Sequence, residues 1–115
     1  MNHEMNLHAA PFELIRNGSK TVEMRLNDER RKNIKSGDTI VFTNMDTNEK
    51  LEVVVLKVVS FKDFADLYNH YGKCEIGYTK DGVANPDDMY MYYSKEQVQK
   101  YGVLAISIKV ATKHQ

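Results

Sequence analysis

The chain has 115 residues, enough for one compact domain over residues 1–115 and too few for two with separate cores. Its 16 Lys and Arg balance 16 Asp and Glu, and 42% of residues are apolar against 28% charged. That is an ordinary globular mixture, which excludes a disordered or fibrous chain and gives no overall charge pointing to DNA or a membrane surface.

The one cysteine, Cys74, excludes an internal disulfide and a cysteine-based zinc cluster, and a lone cysteine of this kind reads as a packed residue. The longest apolar run, Val53-Val54-Val55-Leu56, falls far short of the roughly 20 residues a membrane helix needs. Met-Asn-His-Glu-Met-Asn at the start carries no basic stretch leading into an apolar one, so no signal peptide is visible. A small soluble protein of the cytoplasm, without contact with membranes, is the expectation.

Residues 3 to 8 alternate as a short strand, with Met5 and Leu7 on one side. Pro11 suits the first turn of a helix, Phe12, Leu14 and Ile15 give that helix an apolar side, and Gly18 ends it. The period then becomes two: Val22, Met24 and Leu26 share one face of a strand, while Thr21, Glu23 and Arg25 share the other. Strict parity would set Lys20 on the apolar side, so it belongs in the turn, its ammonium swinging towards the polar face. Ser36-Gly37-Asp38 reads as a turn, Ile40 to Thr43 as a strand and Asp46 to Glu49 as a hairpin loop. Leu51 to Val59 is apolar at both parities in its middle, the pattern of a strand covered on both sides.

Two later helices carry start signals. Ser60 with Asp63 resembles a capping box ahead of Phe64, Leu67, Tyr68 and Tyr71, with Gly72 as the stop. Ser94 with Gln97 repeats the pattern before Gly102, and Asn85-Pro86-Asp87-Asp88 predicts one further helical turn between them. Leu104, Ile106, Ile108 and Val110 form a last strand in one phase. Short strands with helices inserted at the edges predict an α+β fold, closed most naturally as a small mixed β-barrel.

Charge is unevenly placed. From Arg16 to Lys35 seven basic residues face three acids, and from Phe61 to Glu96 four lysines face seven acids. A basic face of this kind can hold an anion on a neutral protein, and a scattered, solvated surface would give the same counts.

The stretch Pro11 to Leu26 contains Gly18-Ser19-Lys20-Thr21-Val22-Glu23-Met24-Arg25. It resembles the activating-signal-cointegrator homology (ASCH) family, whose members carry G-x-K-x-x-E-x-R after a short helix. The likeness continues through Arg30-Arg31, through Ile34 to Phe42, and through Tyr92-Tyr93-Ser94-Lys95-Glu96 to Val103, spanning nearly the whole chain. The resemblance implies a PUA-like β-barrel with a cleft beside the motif strand and, for family members generally, binding of RNA or nucleotides. A few members look like enzymes, among them small bacterial amidohydrolases that deacetylate N4-acetylcytidine.

Residue chemistry gives each position a role in such a cleft. Arg25 offers a planar donor fork for phosphate or a base edge, and Lys20 an ammonium for phosphate or, if desolvated, a base. Glu23 shares the Arg25 face and can pair with it, and an Arg–Glu pair closing the barrel mouth is the purely structural alternative. Tyr90, Tyr92, Tyr93 and Tyr101 supply aromatic faces that either stack on unpaired bases or pack a helical turn, with Tyr93 the best candidate for a stacking role because it adjoins the second matching stretch, which contains Glu96. His3, His8, His70 and His114 lack ligand-like spacing, so neither metal nor cofactor is expected. No glycine loop is built to cradle a phosphate.

The expectation is an RNA- or nucleotide-binding domain whose ligand-contacting residues are Lys20, Glu23, Arg25, Tyr93 and Glu96. The alternatives are an amidohydrolase on a modified nucleoside or an RNA-cleaving enzyme, with Lys20 and Glu23 as the catalytic pair. The amidohydrolases carry threonine where this chain has Glu23, and Asp87, Asp88 and Glu96 are the candidates for their second acid.

Overall fold

Alternating apolar segments become five strands of one sheet in a computed structural model that describes residues 1–111; His114 lies outside the described residues. The strands are β1 (Asn2–Leu7), β2 (Val22–Leu26), β3 (Thr39–Asn44), β4 (Lys50–Phe61) and β5 (Val103–Val110), in the order β1-β3-β4-β5-β2. β1 pairs with β3 in parallel, and every other pairing is antiparallel. The sheet curls into a half-barrel, so the fold is α+β as the pattern predicts.

β4 is the spine. Its first half pairs with β3, from Thr39↔Val54 to Thr43↔Lys50, and nearly its whole length with β5, from Val53↔Val110 to Phe61↔Val103. A register shift between Val55 and Lys57 inserts Leu56 as an extra residue, which bends the strand and lets the sheet curl. This bulge corrects the reading of residues 51–59 as covered on both sides: Val53 and Val55 are buried, while Leu56 is 52% exposed. The doubly covered strand is β5. Leu104, Ile106 and Ile108 face one core with Phe12, Phe42 and Val53, and Val103 and Ala105 face a second core with Phe64, Leu67 and Val98.

Short helices cap these cores. α1 (Ala9–Arg16) has Pro11 in its first turn and buries Phe12 and Ile15, whose side chains on its apolar face seal one end of the first core. α2 (Phe64–Tyr68) starts at Asp63, whose side chain accepts from the Asp66 amide at 2.9 Å. Ser60, predicted to share that cap, is instead paired with Leu104 inside β4, because the ladder runs on to Phe61. Asn85 caps a 3-10 turn over Pro86–Met91 through the Asp87 amide. α3 (Lys95–Tyr101) begins with the Ser94–Gln97 capping box and ends at Gly102, where φ is +71° and an added Cβ would sit 3.0 Å from the Phe61 carbonyl oxygen. No helix among the described residues is long and apolar enough to cross a membrane. Cys74, expected to pack, is exposed.

A buried carboxylate ties the entry of β3 to β1. Asp38 Oδ2 accepts from His3 Nε2 at 2.9 Å and from the Lys35 amide at 3.1 Å, and Oδ1 takes the Met1 amino group at 3.2 Å. The His3 hydrogen bond, with these others, holds the Asp38 carboxyl well below the usual carboxylate range despite its burial. A depressed folded-state pKa contributes stability above the unfolded value, near 3.9, that is lost as pH falls below it. Asp38→Asn should therefore lower the melting temperature at neutral pH, and the gap to wild type should narrow in melts run at pH 3 and below.

Candidate functional site

The local sequence of β2 creates an ionic cluster inside the protein. Gly18, at φ +86°, turns the chain out of α1, the Lys20 amide bonds to the Leu14 carbonyl, and the Thr21 and Val22 amides both bond to the Glu75 carbonyl. Lys20 is thereby held at 8% exposure, with its side chain folded onto the polar face of β2. Its Nζ donates to Glu23 Oε1 at 2.8 Å, Arg25 Nε donates to Glu23 Oε2 at 2.9 Å, and the Met24 amide adds a bond to Oε1 at 3.2 Å. Glu23 is 3% exposed. Arg25 Nη2 reaches on to the Asn6 carbonyl oxygen at 3.1 Å. That bond links the two edge strands, β2 and β1, across the open side of the half-barrel.

Behind Lys20 lies Gly77, at φ +111°. A Cβ there would come within 3.1 Å of Lys20 Cδ, so the backbone at 77 serves as the wall against which the lysine stem lies. Burial alone pushes the Glu23 carboxyl up, but Lys20 and Arg25 outweigh it and bring it down to about 2. Burial likewise works against the Arg25 guanidinium, and Glu23 more than restores it. Glu23 and Arg25 are thereby held in their charged forms, and the cluster sets two basic side chains against one carboxylate.

The cluster opens into a cavity of about 740 Å³ between the end of β1, α1, β2 and the segment that joins β4 to β5. Lys20, Glu23, Arg25 and Tyr93 all line it, so the structure brings together four of the five ligand residues predicted from sequence. Glu96 is not brought to it. The capping box sets Glu96 in the exposed first turn of α3, whose buried contact is Val98. Tyr93 stacks one face on Phe64, with ring centroids 6.0 Å apart and 15° between planes, and its phenol lies beside Arg25. Burial pushes that phenol up. Its neighbour Tyr92, at the cavity rim, is 59% exposed and has the freer ring.

Three further residues on the lining carried no sequence signal for this place. Tyr68 and Tyr78 share a hydroxyl–hydroxyl hydrogen bond of 2.9 Å, and Tyr78 donates to Asp88 Oδ2 at 2.7 Å. Burial, with the Tyr78 hydrogen bond, pushes the Tyr68 phenol well up, so it stays protonated. Asn6 contributes through its backbone carbonyl. Asp88 lines the cavity, and Asp87 does not. Among the described residues, no group of three or more His, Cys, Asp or Glu side chains is placed to hold a metal ion.

The fold and site define a curled α+β half-barrel with an ionic hollow at its seam. The ASCH domain family model matches residues 5–111, and the chain belongs to that family. The crystal structure of a hypothetical protein, PH0355, is similar over 96% of this chain and 100% of that one, with a TM-score of 0.82 and 32% identity. The solution NMR structure of protein PF0455 from Pyrococcus furiosus is similar over 98% of this chain and 100% of that one, with a TM-score of 0.74 and 32% identity. An ASCH domain from Lactobacillus crispatus shares the fold at 13% identity and a TM-score of 0.66, over 95% of this chain and 79% of its own. No curated protein matches the chain.

Removing one partner of a buried ion pair leaves the other charge uncompensated, a loss of about 3–5 kcal/mol. Glu23→Gln, which strands both Lys20 and Arg25, should fall in that range in urea denaturation at pH 7. Because the Glu23 pKa is depressed to about 2, its contribution is present above the unfolded value and lost as pH falls from about 4.5 towards 2. The difference between wild type and Glu23→Gln should shrink over that window.

Proposed function

We propose that the cavity binds RNA or a nucleotide, with Lys20 and Arg25 holding phosphate. The observation that carries this reading is the buried Lys20–Glu23–Arg25 cluster opening into a cavity of about 740 Å³ with an exposed tyrosine at its rim. Two cations on one carboxylate leave a positive excess at the β2 side of the recess, with the Asp88 carboxylate on the opposite wall taken up by the Tyr78 hydroxyl, and screening by water is weak there. Glu23, with both oxygens engaged, fixes the planar fork of Arg25. Tyr92 supplies the open ring for a base, and Tyr93, whose face is taken by Phe64, presents its hydroxyl beside Arg25. A cytoplasmic pool of RNA or nucleotides is the setting that fits.

A salt titration tests this. Binding of short, fluorescently labelled single-stranded RNAs should weaken with salt, at a log–log slope of about −0.7 for each phosphate neutralised on a single strand. Loss of a stacking ring costs about 1–3 kcal/mol per base, so Tyr92→Ala should weaken binding by about tenfold or more without moving the melting temperature. Absence of binding at low ionic strength would overturn the reading.

One observation favours a second reading, hydrolysis of an amide on a modified nucleoside of the N4-acetylcytidine type: the Asp88 carboxylate lines the same cavity as Lys20 and Glu23. Against it, Lys20 already donates to Glu23 at 2.8 Å, and a lysine acting as base must break that pair. The expected result on incubation with N4-acetylcytidine is no acetate release. Release that disappears in Lys20→Met and Asp88→Asn would put catalysis in place of binding.

A further inference from the structure

Beyond the Arg25–Asn6 bond lies a second recess of about 490 Å³, on whose lining stand Arg25, Arg30, Arg31, His3 and Glu4. Arg25 and Asn6 line both hollows, so their hydrogen bond is the partition between them. We propose that the two recesses hold successive phosphates of one single-stranded RNA, which crosses the seam between β1 and β2 over Arg25. This rests on the reading of the first cavity as a nucleotide site and extends it from a nucleotide to a chain.

The second recess is built for a phosphate and is not a continuation of the first. Arg31 is half-buried and oriented by Asp28, which accepts from Nη1 at 2.7 Å, so its fork is set before any ligand arrives. Arg30 is exposed and enters no ion pair or hydrogen bond among the described residues. His3 is already engaged with Asp38 and is structural here. Glu4 subtracts one charge, and Arg25 and Arg31 are already paired with Glu23 and Asp28. Of the seven basic residues between Arg16 and Lys35, Arg16, Lys20, Arg25, Arg31 and Lys32 each have a carboxylate partner. Arg30 is therefore the guanidinium on this lining without a carboxylate partner among the described residues, on a concave surface one partition away from the proposed nucleotide site.

The partition distinguishes the ligand classes. A mononucleotide carries its charge at one place and can occupy only one side of the partition. A chain carries one phosphate on each nucleotide and can set one on either side. A nucleoside triphosphate has extra phosphates too, but they are contiguous and come without a second sugar and base.

Binding should be measured for wild type and Arg30→Ala with three probes in the uridine and adenosine series: the nucleoside monophosphate, the triphosphate and a phosphorylated tetranucleotide RNA. Joining a second contact to the first makes it intramolecular, so wild type should bind the tetranucleotide at least about tenfold tighter than the monophosphate. Arg30→Ala, an exposed change that leaves the fold intact in a thermal melt, should remove most of that gain and reduce the tetranucleotide salt slope by about 0.7. Monophosphate affinity should not move. Equal affinity for monophosphate and tetranucleotide, an equal loss for both probes in Arg30→Ala, or a triphosphate that gains as much as the tetranucleotide would each overturn the second subsite while leaving the nucleotide site standing. Failure of every probe to bind wild type would overturn the nucleotide site and the subsite together.

Discussion

A carboxylate buried between two cations organises this molecule. Taking Glu23 out of water costs several kcal/mol after relaxation, and that cost is met only because Lys20 and Arg25 both reach it at hydrogen-bond distance. The outcome is visible in the Glu23 carboxyl, which burial drives up and its partners bring down to about 2. The three side chains therefore hold one another in place, and none can move without stranding a buried charge. Arg25 carries this constraint further. Its bond to the Asn6 carbonyl satisfies a backbone acceptor on the far edge of the sheet, where a half-barrel otherwise leaves unpaired groups. The chemistry of the hollow and the closure of the seam thus depend on the same guanidinium.

The walls around that cluster follow from how β5 is covered. A strand with Leu104, Ile106 and Ile108 on one side and Val103 and Ala105 on the other needs a second layer, and the segment between β4 and β5 supplies it with Phe64, Leu67, Ile76 and Met89. Folding that segment over β2 and β5 also sets Tyr68, Gly77, Tyr78, Asp88 and Tyr92 around the ionic cluster. The uneven charge along a neutral chain acquires a spatial meaning. The basic stretch forms the seam with its recesses, and the acidic, tyrosine-rich stretch forms the opposing wall, where Asp88 is tied to Tyr78.

Most elements were legible because their signals are local. Alternation in β2, β3 and β5 and the Ser94–Gln97 box each lie within a few residues and need no partner to be read. The misreadings come from non-local causes. An apolar run such as Val53 to Val59 looks the same whether both faces are covered or a bulge at Leu56 switches its parity halfway, and only the pairing with β5 separates the two. Ser60 and Asp63 are both good caps, and the choice between them is made by how far the ladder with β5 extends. For the site, the polar face of β2 put Glu23 and Arg25 together, and the parity argument brought Lys20 to them. Nothing in the spacing said that this polar face lies inside the protein. Asn6 acts through a carbonyl that any residue type would provide, and Tyr78 enters through the packing of a loop. Glu96 enters as part of the second stretch that matches the family and as a candidate acid ahead of a late helix, but the capping box turns it towards solvent.

Fixed, mutually compensating charges also bear on what kind of chemistry such a hollow suits. A residue that moves protons must visit both of its protonation states at working pH, which requires a partner that can release it. Here Glu23 is held ionised by its partners, and Lys20 already donates to it, so a lysine acting as base would first have to give up that bond. What the cluster offers instead is a pre-oriented guanidinium with little freedom left to lose, backed by a lysine stem lying on the Gly77 backbone. Preorganisation of this kind lowers the entropic cost of holding an anion. Because Arg25 also forms the partition to the recess of Arg30 and Arg31, the same rigidity that disfavours proton transfer fixes the relation between the two hollows, which is the property a surface needs to read a chain of evenly spaced charges.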